Sequence, residues 1–108
     1  MGFRKIIAVD FDGTLFTDRW PMVGEPIWPV IRKVREEQAN GSAIILWTCR
    51  SGAALDRAVH ACLQVGINPD AVNENLPELI ENWDGEDTRK IVATEYWDDR
   101  AVNIRDFL

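Results

Sequence analysis

The stretch Ile6-Ile7-Ala8-Val9-Asp10-Phe11-Asp12-Gly13-Thr14-Leu15 narrows the folds open to this chain more than any other. Four consecutive apolar residues predict a strand covered on both faces, as in a parallel sheet. The run stops abruptly at two carboxylates one residue apart, followed by Gly13 and Thr14. In a straight strand Asp10 and Asp12 would share a face, because side chains alternate with a period of two. At the end of a strand they instead fall in the crevice beyond the carboxyl ends of the sheet, where open α/β folds bind ligands. Gly13 lets the backbone leave the strand direction through a turn that a Cβ would obstruct. Four chosen residue types at fixed places arise by chance in about one chain in a thousand of this length, at roughly 5% usage per type. The plain alternative is an acidic turn that merely caps a strand.

Beyond the motif, residues 16–26 follow neither the helical nor the strand period. Pro21, Gly24 and Pro26 predict an ordered loop there. From about Ile27 the apolar positions Ile27, Val30 or Ile31, and Val34 take helical spacing. Pro26 and Pro29 suit a first turn, and Asn40-Gly41 a left-handed helix end. Ala43 to Trp47 predicts a second buried strand, ending at Thr48-Cys49-Arg50-Ser51-Gly52. Ser51 is the expected N-cap of a second helix, which stops at Gly66. His60 lies four residues after Asp56 and reads as a surface helix pair. Ile67 to Asn73 predicts a short third strand, 74–89 at most one short helix around Glu78 to Trp83, and Ile91 to Trp97 a fourth strand. A last turn or small strand is expected in 101–108. The alternation argues one α/β domain over 1–108: a three-layer, Rossmann-like arrangement with a mainly parallel sheet of four to five strands and helices on both faces.

Composition sets further bounds. With 108 residues, 46% apolar and 28% charged, the chain has the makings of one hydrophobic core and not two. No apolar run approaches a membrane span, and the N-terminus lacks a signal-peptide pattern, so no membrane partner is expected. Cys49 and Cys62 are too few for a disulfide framework and fit a reducing cytoplasm; one His argues against zinc chemistry. A net charge of −6 with scattered basic residues disfavours long nucleic acids. Of five tryptophans, Trp47 and Trp97 fall inside strand patterns and read as packing. Trp20 and Trp28 flank the Pro/Gly-rich loop and suit a pocket or a subunit contact.

Three apolar strands thus end in polar residues: Asp10 with Asp12, Thr48, and Asp98 with Asp99. In a parallel sheet those ends converge on one edge. The first motif, Asp10-Phe11-Asp12-Gly13-Thr14, resembles that of the haloacid dehalogenase-like phosphohydrolases. Thr48, Lys90 and Asp98-Asp99 stand in order where that family's other three motifs stand, so the resemblance spans essentially the whole chain. It implies Asp10 as a nucleophile that forms an aspartyl-phosphate and Asp12 as general acid and base. It further implies Thr48 and Lys90 on the phosphoryl group, and Mg²⁺ held among Asp10, Asp12, Asp98 and Asp99. Asp98 would be the direct ligand and Asp99 the holder of a metal-bound water, or else a turn residue pairing Arg100. The loop from Phe16 to Pro26 corresponds to the flap beside the family's active site.

Elementary electrostatics agrees with that implication. Like charges 4 Å apart repel by about 4 kcal/mol at an effective dielectric constant near 20. Four converging carboxylates need a cation, and an all-oxygen ligand set suits Mg²⁺. The expected substrate contacts are Gly13, Thr48, Cys49, Arg50 and Lys90, with bracing of the flap or the acidic loop the favoured role for Arg50. The neighbouring carboxylates would favour the neutral form of Asp12. No cap domain fits between Thr48 and Lys90, so the site should be open. A small phosphorylated metabolite, with a homo-oligomer contact screening the site, is favoured over a phosphoprotein or a nucleic-acid end. The rivals to a phosphatase are a phosphate- or Mg²⁺-binding module without catalysis, and a protein-interaction domain whose acidic edge is surface charge.

Overall fold

The computed structural model describes residues 4–108. Among them the chain runs β1 (Ile6–Val9), β2 (Phe16–Arg19), β3 (Met22–Pro26), α1 (Trp28–Ala39), β4 (Ala43–Leu46), α2 (Gly52–Gln64), β5 (Ala71–Val72), α3 (Pro77–Asn82) and β6 (Glu95–Trp97), with a final 3₁₀ turn at Ile104–Phe107. The fold is α/β: a four-stranded sheet in the order β5-β4-β1-β6, its neighbours all parallel, with three helices. The order reverses at β1. The chain steps outward from β1 to β4 to β5, then crosses back to place β6 on β1's other side.

Strand alternation builds the core from the middle of the sheet. Ile7, Val9, Ile44 and Leu46 point to one side, into a cluster with Ile31 and Val34 of α1 and Ala58, Ala61 and Cys62 of α2. Ile6, Ala8, Ala43 and Ile45 point the other way, against Leu76, Leu79, Ile91 and Ala93. Both central strands are buried at every position, which is why they read as unbroken apolar runs. Cys62 sits in the first cluster, and burial pushes its thiol up to about 12, leaving it inert.

Four expectations are corrected. Residues 16–26 form a β-hairpin, β2 against β3, rather than a loop. Of β2 only Phe16 is buried, so no alternating apolar pattern announces the strand. Gly24 makes the pairing possible, since a Cβ there would stand 2.1 Å from the Thr17 carbonyl oxygen. Trp47 lies past the end of its strand, 38% exposed, with its ring 5.7 Å from that of Tyr96; Trp97 is the one that packs against the core. Ser51 holds the N-cap position of α2 with extended backbone, but its side chain accepts no capping bond. Lastly, the third and fourth strands are shorter than their apolar runs.

Side chains replace the ladder where the fourth strand falls short. Fully buried Asn75 donates through Nδ2 to Asp87 Oδ1 at 2.8 Å and accepts at Oδ1 from the Val92 N–H at 2.8 Å. Thr94 Oγ1 accepts from the Ile6 N–H at 2.9 Å and donates to the Ile6 carbonyl at 2.8 Å. Asn75 therefore anchors the crossover that returns the chain to β6. Asn75→Ala, which strands the Val92 N–H, should cost about 2–3 kcal/mol by chemical denaturation. A loss below about 0.5 kcal/mol would show that apolar contacts alone hold the crossover.

Candidate functional site

The reversal of strand order puts a crevice between β1 and β6, the kind of switch point at which open sheets bind ligands. Asp10 continues β1 and donates its N–H to the Trp97 carbonyl at 2.9 Å, which seats it beside Asp98. On the other side, Trp47 N–H reaches the Val9 carbonyl at 2.9 Å and brings Thr48 to the same edge. After Asp10 the backbone turns tightly: the Phe11 carbonyl accepts from the N–H groups of Thr14, Leu15 and Phe16. Gly13 takes φ 84° in this turn, and a Cβ on it would stand 2.6 Å from Asp99 Oδ2. The turn requires glycine, and a Cβ there would also push the Asp99 carboxylate aside.

Asp10, Asp98 and Asp99 each place an oxygen within 4.8 Å of the others. Asp98 Oδ1 accepts from the Arg100 N–H at 2.8 Å, and the Asp99 N–H donates to Thr14 Oγ1 at 3.2 Å, so a local turn and the Thr14 hydroxyl hold the pair. None of the three is in an ion pair among the described residues. Burial, reinforced by Asp98, Asp99 and Asp12, pushes the Asp10 carboxyl up to about 6, against a bond from Phe11 backbone that pulls it down. Three hard oxygen donors in no ion pair among the described residues fit a divalent ion of the Mg²⁺ type.

Asp12 departs from the expectation that it joins this cluster. Its two oxygens accept from Arg50, Oδ2 from Nε at 2.8 Å and Oδ1 from Nη2 at 2.7 Å. Arg50 spends its remaining N–H groups on the carbonyls of Pro21, Ala54 and Met22. All five donors are used inside the protein, its side chain is 1% exposed, and its guanidinium lies 4.9 Å over the Phe11 ring. The Asp12 partner raises the Arg50 pKa further above its ordinary value. Arg50 therefore braces the hairpin against Asp12 and has no N–H left for substrate. The fork of two N–H donors occupies both Asp12 oxygens.

The other expected residues divide. Gly13, Thr48 and Cys49 line, with Asp10, Asp12, Asp98 and Asp99, a cleft of about 300 Å³. Thr48 Oγ1 accepts from the Arg50 N–H at 3.1 Å, which leaves its own proton to give, and the Thr48 N–H is held by Asn73 Oδ1 at 2.8 Å. Asn73 does this from a left-handed backbone, φ 53°, and nothing in the sequence marks it apart from the tolerance of Asn for that conformation. Lys90 is exposed and does not line the cleft. Arg100 does, as do Asp18 and Trp20 from the hairpin. Arg100 is the one basic residue among those lining the cleft, and no ion pair among the described residues engages it. The sequence offers it only as a turn partner for Asp99, with which it forms no ion pair.

No protein-family model matches the sequence, and no curated protein does. Among solved structures, that of a conserved protein coded by a locus of Bacteroides thetaiotaomicron is similar to this chain, with 36% identity and a TM-score of 0.80. The match covers 93% of this chain and 79% of that one. At that identity and coverage, this chain belongs to the family of the conserved Bacteroides thetaiotaomicron protein.

Proposed function

We propose that this protein is a Mg²⁺-dependent phosphomonoester hydrolase of the haloacid dehalogenase type, on a capless, three-layer Rossmann-like fold, with Asp10 as its nucleophile. The observation that carries the reading is the convergence of Asp10, Asp98 and Asp99 at the switch point of the sheet, beside Thr48. An Asp10 carboxylate oxygen attacks phosphorus, the bond from phosphorus to the ester oxygen breaks, and the freed alkoxide takes a proton from Asp12, which regains one from the water that attacks next. Water then attacks the aspartyl-phosphate, and inorganic phosphate leaves with Asp10 restored. Held by Asp10, Asp98 and Asp99, Mg²⁺ would offset their mutual repulsion and the charge of the phosphoryl oxygens. Thr48 donates its hydroxyl proton to the same oxygens. Asp12, as held by Arg50, is set to take the proton of the attacking water; to give one to the leaving group it must first release the fork.

The cation expected at position 90 is better supplied by Arg100. Arg100→Met should therefore raise KM for a phosphomonoester about tenfold, whereas Lys90→Met changes kcat/KM by less than threefold, both read by steady-state kinetics. The reverse ranking would return the phosphate-neutralising role to Lys90.

The Arg50 fork on Asp12 is the one observation that favours a rival, a phosphate- or Mg²⁺-binding module without catalysis. A chromogenic phosphomonoester assay with and without Mg²⁺ decides between them. Mg²⁺-dependent turnover supports the hydrolase, and tight Mg²⁺-dependent phosphate binding without turnover supports the module. A small phosphorylated metabolite remains the favoured substrate over a phosphoprotein. Exposed Met22 and Trp28 suit the proposed homo-oligomer contact, which solution mass tests. No described helix is long and apolar enough to cross a membrane. Free Cys49 and Cys62 agree with the proposed cytoplasmic setting.

A further inference from the structure

Trp20 is 65% exposed, yet it is not placed at random: it lines the same cleft as Asp10 and Asp12. Its position is built. The Trp20 N–H donates to Asp18 Oδ1 at 3.1 Å, which pins the hairpin tip. The next two residues give their carbonyls to Arg50, at 3.0 Å from Pro21 and 2.8 Å from Met22. Arg50 in turn grips Asp12. The backbone that carries Trp20 to the cleft is therefore tied, through the next two residues, to the same buried guanidinium that holds Asp12. In the hydrolase reading Asp12 exchanges a proton with the ester oxygen once the Arg50 fork opens, so the leaving group lies on the Asp12 side, the side the hairpin is fastened to. Charge restricts what can stand there. Arg50 pairs Asp12, and Asp10, Asp98 and Asp99 are set to share a cation, so Asp18 is the lining carboxylate left uncompensated on the hairpin side, where a second anionic group on the substrate meets repulsion.

From this, resting on the hydrolase reading above, we infer that Trp20 and Asp18 form a leaving-group subsite for a phosphomonoester that carries a planar ring and no second anionic group, such as a nucleoside monophosphate. The ring stacks on the indole, which ring faces of any base allow. Asp18 accepts from hydroxyl or amino groups of the same moiety and repels a further phosphate.

The test uses a matched pair, adenosine 5′-monophosphate and ribose 5-phosphate, which break the same kind of primary phosphate ester and differ in the ring. With Mg²⁺, kcat/KM should favour the nucleotide about ten- to hundredfold. In Trp20→Ala that ratio should collapse to near one, and in Trp20→Phe it should largely return. Equilibrium binding of the nucleotide to Asp10→Asn, with and without Trp20→Ala, should show a loss of affinity of the same size and does not need turnover. A wild-type ratio near one, a ratio that survives Trp20→Ala, or preference for a 5′-phosphorylated oligonucleotide would overturn the subsite. Failure to hydrolyse any phosphomonoester, with ring-dependent binding intact, would instead overturn the hydrolase reading and leave the subsite standing.

Discussion

Asp10→Asn should abolish phosphomonoester turnover and, in the absence of divalent cations, leave the protein more stable than the wild type above pH 6. The two effects share a cause. In the folded protein burial, with help from three neighbouring carboxylates, pushes the Asp10 carboxyl up to about 6 from its ordinary 3.8. The folded state thus keeps this proton over a range where the unfolded chain has given it up. Linkage then lowers stability as pH rises from about 4 to about 6, with the full cost present above 6 and none below 4. Asp10 is only partly buried, so solvent screening trims the cost. A melting-temperature gain of about 4–8 °C for the Asn variant at pH 7.5, equivalent to about 1 kcal/mol, is the expected size. Near pH 4 the two proteins should melt together, and saturating Mg²⁺ should close the gap at pH 7.5 by stabilising the wild type alone. An Asn variant that melts lower than wild type in chelator at pH 7.5 would mean that Asp10 is held by partners this account lacks.

Arg50→Ala carries the largest expected stability loss, about 3–5 kcal/mol. The substitution removes five hydrogen bonds at once. Two carboxylate oxygens and three backbone carbonyls lose their donor, and the face of Phe11 loses its cation. Asp12 keeps 19% of its side-chain exposure, so its stranded charge is partly hydrated and the lower end of the range is favoured. Against a total stability of 5–15 kcal/mol for an ordinary domain, this is a large share. Arg50→Lys should recover only part of it, because one ammonium cannot reproduce a five-donor fork. Chemical denaturation measures the loss, and amide exchange should show protection vanishing first in β2 and β3. A cost under 1 kcal/mol, or a hairpin as protected as before, would contradict the bracing role.

What the sequence declared and what it concealed follow from where the signal comes from. β1 and β4 are buried on both faces, so their apolar runs could hardly be anything else, and the carboxylates and Thr48 at their ends were legible as an edge. The hairpin was hidden because only Phe16 and Val23 reach the core, too few for an alternating pattern, while Arg50 and a Gly24 that lets two backbones meet hold the rest. The fourth strand was overextended because Ile91 is core without being strand; Asn75 and Thr94 side chains stand in for the missing ladder. Arg100 was passed over because a residue next to two aspartates invites pairing, and Lys90 was favoured because of its place in the motif order. Which cation lines a cleft depends on the path of the loop after β6, and a sequence does not carry that. Asp12 was the sharpest reversal: its spacing from Asp10 suggested a shared carboxylate cluster, whereas the turn at Phe11 and Gly13 delivers it to Arg50.

The central claim is that Asp10 becomes covalently phosphorylated. Protein mixed with a phosphomonoester and Mg²⁺, quenched in acid and reduced with borohydride, should show homoserine in place of aspartate at position 10 by peptide mass spectrometry. The conversion should need both substrate and Mg²⁺, and it should accumulate in Asp12→Asn, where the water that clears the intermediate lacks its base. Turnover with label at Asp98, Asp99 or no residue at all would contradict the account.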